Sequence, residues 1–297
     1  MEKINENYPP QQELSGYAKE KNICPVCESS LHQIAGGYSM CKGCGYMMSH
    51  NQPGAGAEVV SVDAVREKNF NIICKKIKEF FPQLKTVLDV GCSTGHFLEV
   101  ASAEGLSVTG LEPDIHLAEK AQSKGHNVIN GLFPYAEGIS DKMYDIIIFN
   151  DSFEHIPNLQ EVLQGIKDHI QKSGIAIINI PSSNGFIFKT AFLLNKLRMR
   201  TLFDRLWQKG FASPHLHYFN VRNLKQLFEN NDFVMHYSSP LCYYTIKGLW
   251  GRISCKSSFF VSILAWVCMV LLYPLFALRS DCFMACFSIA ENKGEKL

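Results

Sequence analysis

The sequence predicts an α/β protein built on a doubly wound, mostly parallel sheet, and three observations carry that expectation. Thr86 to Val90 is an apolar, β-branched run that breaks into Gly91-Cys92-Ser93-Thr94-Gly95, and a helical pattern (Phe97, Leu98, Val100, Ala101) follows at once. That is a strand–turn–helix opening, with ligands expected beyond the carboxyl ends of the strands. From there to Pro181 strand-like and helix-like stretches alternate, as one parallel sheet requires. Met143 to Phe149 is nearly continuous in apolar residues, which suits a strand covered on both faces.

At 297 residues the chain has room for one large domain and an appendage. A net charge of +1 with 19% charged residues argues against a strong field for nucleic acid. Eleven cysteines point to a reducing compartment, and the polar start Met1-Glu2-Lys3-Ile4 carries no signal-peptide pattern. Cytoplasm is the expected location.

Residues 1–20 are polar, with Pro9-Pro10-Gln11-Gln12, and read as a flexible tail. Cys24-Pro25-Val26-Cys27 and Cys41-Lys42-Gly43-Cys44 then form two C-x-x-C knuckles, thirteen residues apart. Four thiolates at that spacing, Cys24, Cys27, Cys41 and Cys44, close a tetrahedron around Zn²⁺. So short a segment buries too little to fold alone, and metal binding supplies the missing ~10 kcal/mol or more. Asn51 to Gly56 reads as a linker, and Val65, Ile72, Ile73, Ile77, Phe80 and Phe81 mark a helix ended by Pro82.

The Gly-rich turn separates two cofactor classes by spacing. A dinucleotide fingerprint needs Gly at 91, 93 and 96, and two of the three fail at Ser93 and His96. The pattern Asp-x-Gly-x-Gly-x-Gly fits Asp89, Gly91 and Gly95 and departs only at Ser93. Val108 to Leu111 reads as the next strand and ends at Glu112, a carboxylate placed to accept ribose hydroxyls. On these residues the chain resembles the class I S-adenosylmethionine (SAM) dependent methyltransferases, of the ubiquinone-pathway and polysaccharide-cluster type. The knuckles likewise resemble the zinc ribbon found ahead of several methyltransferase families. The resemblance implies SAM on Asp89, Gly91, Cys92, Ser93, Gly95, Glu112 and Pro113. It also implies the adenine ring against Gly131 and Leu132, and Arg66 toward the cofactor's carboxylate, where a solvated surface arginine is the alternative.

Asp114 is placed to N-cap a helix that Gly125 ends, and Asn127 to Asn130 is a third short strand. The strand Met143–Phe149 runs into Asn150-Asp151-Ser152-Phe153-Glu154-His155-Ile156. A Tyr-Asp-x-Ile strand followed by Phe-Glu-His-Ile resembles the same family's fourth-strand ending, which puts Asn150 at the cofactor and Asp151 and His155 near the acceptor. Glu154 and His155 also admit a purely structural reading. Asn158 to Gln171 is amphipathic and ends at Gly174; Ile175 to Pro181 is the fifth strand.

Residues 186–209 alternate apolar side chains with Lys189, Lys196, Arg198, Arg200, Arg205 and Lys209. This insertion is read as a lid, with membrane-surface contact or simple packing as alternatives. Ser213-Pro214-His215-Leu216-His217-Tyr218-Phe219 resembles the family segment that enters the active site, so His215 or His217 is the expected general base, unless they only order the lid. Asn220 N-caps a helix over 221–230, and Asp232 starts a sixth strand. Phe259 to Leu278 carries no charge and passes the length test for a membrane span. Cys282 to Ile289, however, resembles the family's antiparallel seventh strand, so a single crossing would strand it on the far side. Monotopic contact is therefore expected, with burial or self-association as the alternative.

The expected organisation is a tail (1–20), a Cys₄ zinc ribbon (21–50), a linker and leading helix (51–82) and a methyltransferase domain (83–297). That domain is a seven-stranded, mostly parallel Rossmann-like sheet, with the lid at 185–213 and a hydrophobic helical insertion at 256–280. The expected function is O-methylation of a glycan, lipid or lipid-linked intermediate at the cytoplasmic side, with peripheral membrane contact. Two other classes stay open: a zinc-ribbon ribosomal-RNA base methyltransferase, and a SAM-binding, membrane-associated scaffold without catalysis.

Overall fold

The computed structural model describes residues 22–54, 63–242 and 280–290, with Ser262, Ile263, Trp266, Val267, Val270 and Leu271 helical between them. The expected tail, the last two residues of the linker and most of the hydrophobic stretch lie outside these residues. No helix among the described residues is long and apolar enough to cross a membrane.

The ribbon contributes β1 (Leu31–Ile34), β2 (Tyr38–Cys41) and β3 (Met47–Ser49). The leading helix is α1 (Asp63–Phe80), followed by β4 (Thr86–Val90), α2 (His96–Ala103) and β5 (Ser107–Glu112). Next come α3 (Ile115–Ser123), β6 (Val128–Asn130), β7 (Tyr144–Asn150), α4 (Leu159–His169) and β8 (Ile170–Pro181). The insertion forms α5 (Phe186–Lys196) and α6 (Thr201–Leu206), and β9 (His217–Tyr218) leads to α7 (Val221–Glu229). Two strands close the fold, β10 (Phe233–Leu241) and β11 (Cys282–Ile289).

The central sheet has the order β10-β11-β8-β7-β4-β5-β6. The pairs from β6 through β8 are parallel, and β11 lies antiparallel between β8 and β10. Alternation along the strands fills both faces. Ile147 and Phe149 of β7 join a core with Leu159, Val162 and Ile166 of α4 and Leu224, Leu227 and Phe228 of α7. Ile146 and Ile148 meet Phe70, Ile73 and Ile77 of α1 and Phe97 and Ala101 of α2. The hydrophobic effect is thus served on both sides of one strand, which is why its sequence lacks a polar alternation.

The fifth strand departs from the sequence reading. The helix before it stops at His169, and the strand begins at Ile170 instead of Ile175. Tyr144 pairs with Ile170 and Ile146 with Ile175, so residues 171–174 bulge out of the ladder. Gly174 is therefore not a helix terminator. A Cβ there would lie 2.7 Å from the Asp145 carbonyl oxygen, so the bulge passes its neighbour only with glycine.

The ribbon does not stand apart either. β3 pairs antiparallel with β9, extending the ribbon to a four-stranded sheet β1-β2-β3-β9. Tyr38 stacks on Trp207 of the insertion at 4.9 Å and donates to Asp204 Oδ1 at 2.7 Å. Ribbon and insertion share a core of Tyr38, Met47, Phe188, Phe203, Trp207 and Tyr218.

Candidate active site

The turn after β4 is built from backbone positions that ordinary side chains avoid. Gly91, Ser93 and Gly95 have φ of +79°, +50° and +82°. A Cβ on Gly91 would also sit 2.8 Å from Ser152 Cβ. Ser93 thus occupies a left-handed position that the family pattern fills with glycine. Glu112 holds the turn in shape: its Oε2 accepts from Ser93 N at 2.7 Å and its Oε1 from Asp114 N at 3.0 Å. Asn130 ties the next strand down by donating to the Glu112 and Pro113 carbonyls. Gly131 donates to Glu112 O, and both Gly131 and Leu132 are partly exposed beside it, whereas Pro113 is exposed.

Asp89 is 1% exposed, and burial pushes its carboxyl up to about 7, opposed by the Asn150 amide and reinforced by the Glu112 charge. Asn150 Nδ2 donates to Asp89 Oδ1 at 3.1 Å, Asn179 Nδ2 donates to Asn150 Oδ1 at 3.3 Å, and Cys282 Sγ lies 3.2 Å from Asn179 Oδ1. This polar row crosses the carboxyl side of β4, β7 and β8 and reaches β11. Sequence reasoning chose Asp89 and Asn150 but missed Asn179 and Cys282. An asparagine inside Ile175-Ala176-Ile177-Ile178-Asn179-Ile180 was the available signal. Cys92 is buried, and burial raises its thiol.

The loop after β7 is drawn onto the turn by Ser152 Oγ, which donates to Val90 O at 2.6 Å. Asp151 stands at φ +52°, with its Oδ2 3.7 Å from Arg66 Nε. Arg66 and Asp151, 85 positions apart in the sequence, thus meet beside this loop.

Glu154, His155 and His215 each offer a ligand atom within 4.8 Å of the others. Glu154 is 1% exposed, neither of its oxygens has a hydrogen-bond partner, and burial raises its carboxyl far above the carboxylate range. His215 is 6% exposed and held neutral by burial; its Nε2 contacts the Gln208 amide at 2.9 Å and its Nδ1 is unpartnered. His155 Nδ1 lies 2.9 Å from Pro214 O, and burial lowers the ring to about 4. A carbonyl partner places the proton on Nδ1 and leaves Nε2 with its lone pair. Such a set can hold a cation or take up a proton.

His217 is placed differently from the expectation of a base. Its Nε2 donates to Ile156 O at 2.9 Å, so its Nδ1 accepts from the Tyr46 hydroxyl at 2.5 Å. Burial lowers its pKa to about 4 and keeps Tyr46 a phenol. Both ring nitrogens are consumed in joining the ribbon to the loop after β7, because this histidine lies on the strand that pairs with β3.

The four ribbon thiols converge as the spacing predicts. Cys24 and Cys44 Sγ are 3.6 Å apart, Cys27 and Cys41 Sγ 3.4 Å, and all four are free of disulfides. Zn–S bonds of about 2.3 Å in a tetrahedron give S–S edges near 3.8 Å, so the donor set fits that ion. Cys44 is lowered to about 5 by a hydrogen bond from Cys24, whose own thiol is raised. Thiolate character at such a cluster is what a metal requires.

Residues 65–238 match the family model described as a methyltransferase domain. The ubiquinone biosynthesis O-methyltransferase of Rickettsia typhi (strain ATCC VR-144 / Wilmington) is 30% identical over 138 residues, 44% of this chain and 56% of that protein. The protein of the same name from Rickettsia bellii (strain OSU 85-389) is 23% identical over 209 residues, 68% and 85% of the two chains. The chain spans about half the length of the first of these relatives. Among solved structures, the PH0226 protein of Pyrococcus horikoshii OT3 shares the fold with a TM-score of 0.50 at 14% identity, over 78% of this chain and 94% of that one. With the family match spanning more than half of its 297 residues, on the same turn and strand order that the site geometry displays, this chain belongs to the class I SAM-dependent methyltransferases.

Proposed function

We propose that the chain moves the methyl group of SAM to an oxygen of a glycan, lipid or lipid-linked acceptor. The observation that carries this reading is the neutral His155, its Nε2 available, on a loop that Ser152 anchors to the cofactor strand. The names of the relatives support oxygen as the methylated atom. The sulfonium is already a good leaving group, so the protein's contribution is alignment of acceptor and methyl at about 3–3.5 Å. A hydroxyl of low acidity also needs a base, and His155 Nε2 takes that proton as the methyl transfers. Asp89, the 91–95 turn and Glu112 hold the cofactor in this reading, with Gly131 and Leu132 beside the adenine and Arg66 exchanging Asp151 for the cofactor carboxylate. His215 and Glu154 border the acceptor, and His217 positions the loop.

Zn²⁺ is the ion we assign to Cys24, Cys27, Cys41 and Cys44, in a structural role, since four protein ligands leave no open position. Exposed Ile263, Val267 and Leu271 recur at four-residue spacing and support contact of the 256–280 segment with a membrane surface.

Transfer of radiolabelled methyl from SAM into separated lipid, glycan and RNA pools of the source cell tests the assignment. Label in lipid or glycan, lost on His155→Ala with SAM affinity kept, is the expected result. Label confined to RNA would replace it.

A further inference from the structure

Away from the cofactor turn, a cavity of about 430 Å³ opens between the ribbon hairpin and the insertion. Its apolar side is Ile34, Ala35 and Phe192; its polar side is Asn195, Lys196, Arg198 and Arg200. No carboxylate lines it, and none of the three cations is ion-paired among the described residues. Lys196 Nζ instead lies over the Phe192 ring at 4.8 Å. Asn195 is 3% exposed, yet its Oδ1 has no hydrogen-bond partner. All three cations are exposed to solvent, so the hollow offers an unneutralised positive surface with no carboxylate to repel an anion, while Asn195 Oδ1, an acceptor, calls for a donor such as a ligand hydroxyl.

The backbone adds an independent observation. Arg198 follows the last turn of α5 at φ +66°, with Arg198 N donating to Asn195 O and Met199 N to Leu194 O. This is the helix-terminating position that glycine ordinarily takes. Arg198 lines the cavity from this left-handed position, against its backbone preference.

We propose that this cavity binds the phosphate or diphosphate group of the acceptor, with Arg198, Arg200 and Lys196 as its cationic contacts. The inference rests on the methyltransferase reading and names the acceptor class within it. The N-terminal end of α5 is fixed at the carboxyl end of the sheet, where Asp281 accepts from Ile187 N and Phe188 N. Eleven residues of helix then place the basic turn about 16 Å away. An acceptor reaching from the basic turn to the carboxyl end of the sheet must be of about that length, longer than a bare phosphate or a single sugar phosphate and within the reach of a diphosphate-linked chain of sugars. Planar guanidinium groups suit phosphate oxygens, and the apolar wall suits a prenyl chain or a base beside them.

The test uses the full-length, zinc-loaded protein and calorimetry with inorganic pyrophosphate, UDP and geranyl diphosphate. Pyrophosphate should bind, and Arg198→Gln/Arg200→Gln should weaken it at least about tenfold while leaving SAM affinity unchanged. Arg198→Gly is the second variant: it relieves the left-handed backbone, so loss of binding with undiminished thermal stability cannot be a folding defect. Tighter binding of geranyl diphosphate than of UDP identifies a lipid-linked acceptor, and the reverse a nucleotide-linked one; either supports the site. Equal affinity in parent and variants overturns it, as does absence of binding by all three probes. Adsorption to phosphatidylglycerol vesicles without pyrophosphate binding also overturns it, in favour of a membrane-facing charge. Failure of SAM itself to bind would instead refute the methyltransferase reading.

Discussion

Ser93 shows how a single position can satisfy a motif and still carry strain. It stands at φ +50° between two glycines that share its handedness, and its N–H is fixed by Glu112. Ser93→Gly should therefore stabilise the fold by about 0.5–1 kcal/mol, read as a rise in the thermal midpoint. An unchanged or lower midpoint would show that the serine hydroxyl compensates locally. Asp89 makes a second prediction through its titration. Its carboxyl, at about 7 instead of 3.8, binds more protons folded than unfolded between roughly pH 4 and 7, so the ligand-free protein loses stability as pH rises through that window. A cationic sulfonium and ammonium favour the ionised form. SAM affinity should thus strengthen as pH rises through about 7, and Asp89→Asn should flatten that profile in calorimetry. Asp89 and Glu112 were legible in sequence because their separation follows from one strand–helix–strand unit. Asn179 was not, since its role depends on which strand lies beside β7.

At the scale of elements, the ribbon and the insertion behave as one unit. Tyr46 reaches across 171 residues of sequence to His217, which in turn holds Ile156 of the loop carrying Glu154 and His155. Tyr46→Phe leaves a buried imidazole nitrogen without its donor and should cost about 1–3 kcal/mol, measured by denaturant unfolding. Loss of only a few tenths would mean that Nδ1 finds water or another donor. Metal removal should act on the same joint. Chelation, or Cys24→Ser, should speed proteolysis between Lys196 and Lys209, because β3 holds β9 and Tyr38 holds Trp207. SAM binding should survive, as the cofactor turn packs through other residues. Unaltered cleavage of the insertion after metal loss would separate the two elements. The knuckles announced the cluster of four thiols through spacing alone, but nothing in C-x-x-C spacing tells which strand the ribbon will pair with.

For the molecule as a whole, the family topology emerges with β11 between β8 and β10, so the last described strand completes the sheet. Its arrival brings Cys282 to Asn179 and Asp281 to the start of α5, joining the chain's end to the polar row and to the insertion. By itself the sequence determined the sheet class, the glycine-rich turn flanked by Asp89 and Glu112, and the convergence of four cysteines. Each is encoded by residues close in the chain, where spacing and handedness set geometry without help from distant partners. Tertiary structure alone decided that His217 is a tie and that His155 Nδ1 meets the Pro214 carbonyl, that Arg66 meets Asp151, and that a basic hollow forms between ribbon and insertion. Those outcomes depend on side chains dozens to more than a hundred residues apart, whose burial and proton positions exist only once the layers have packed.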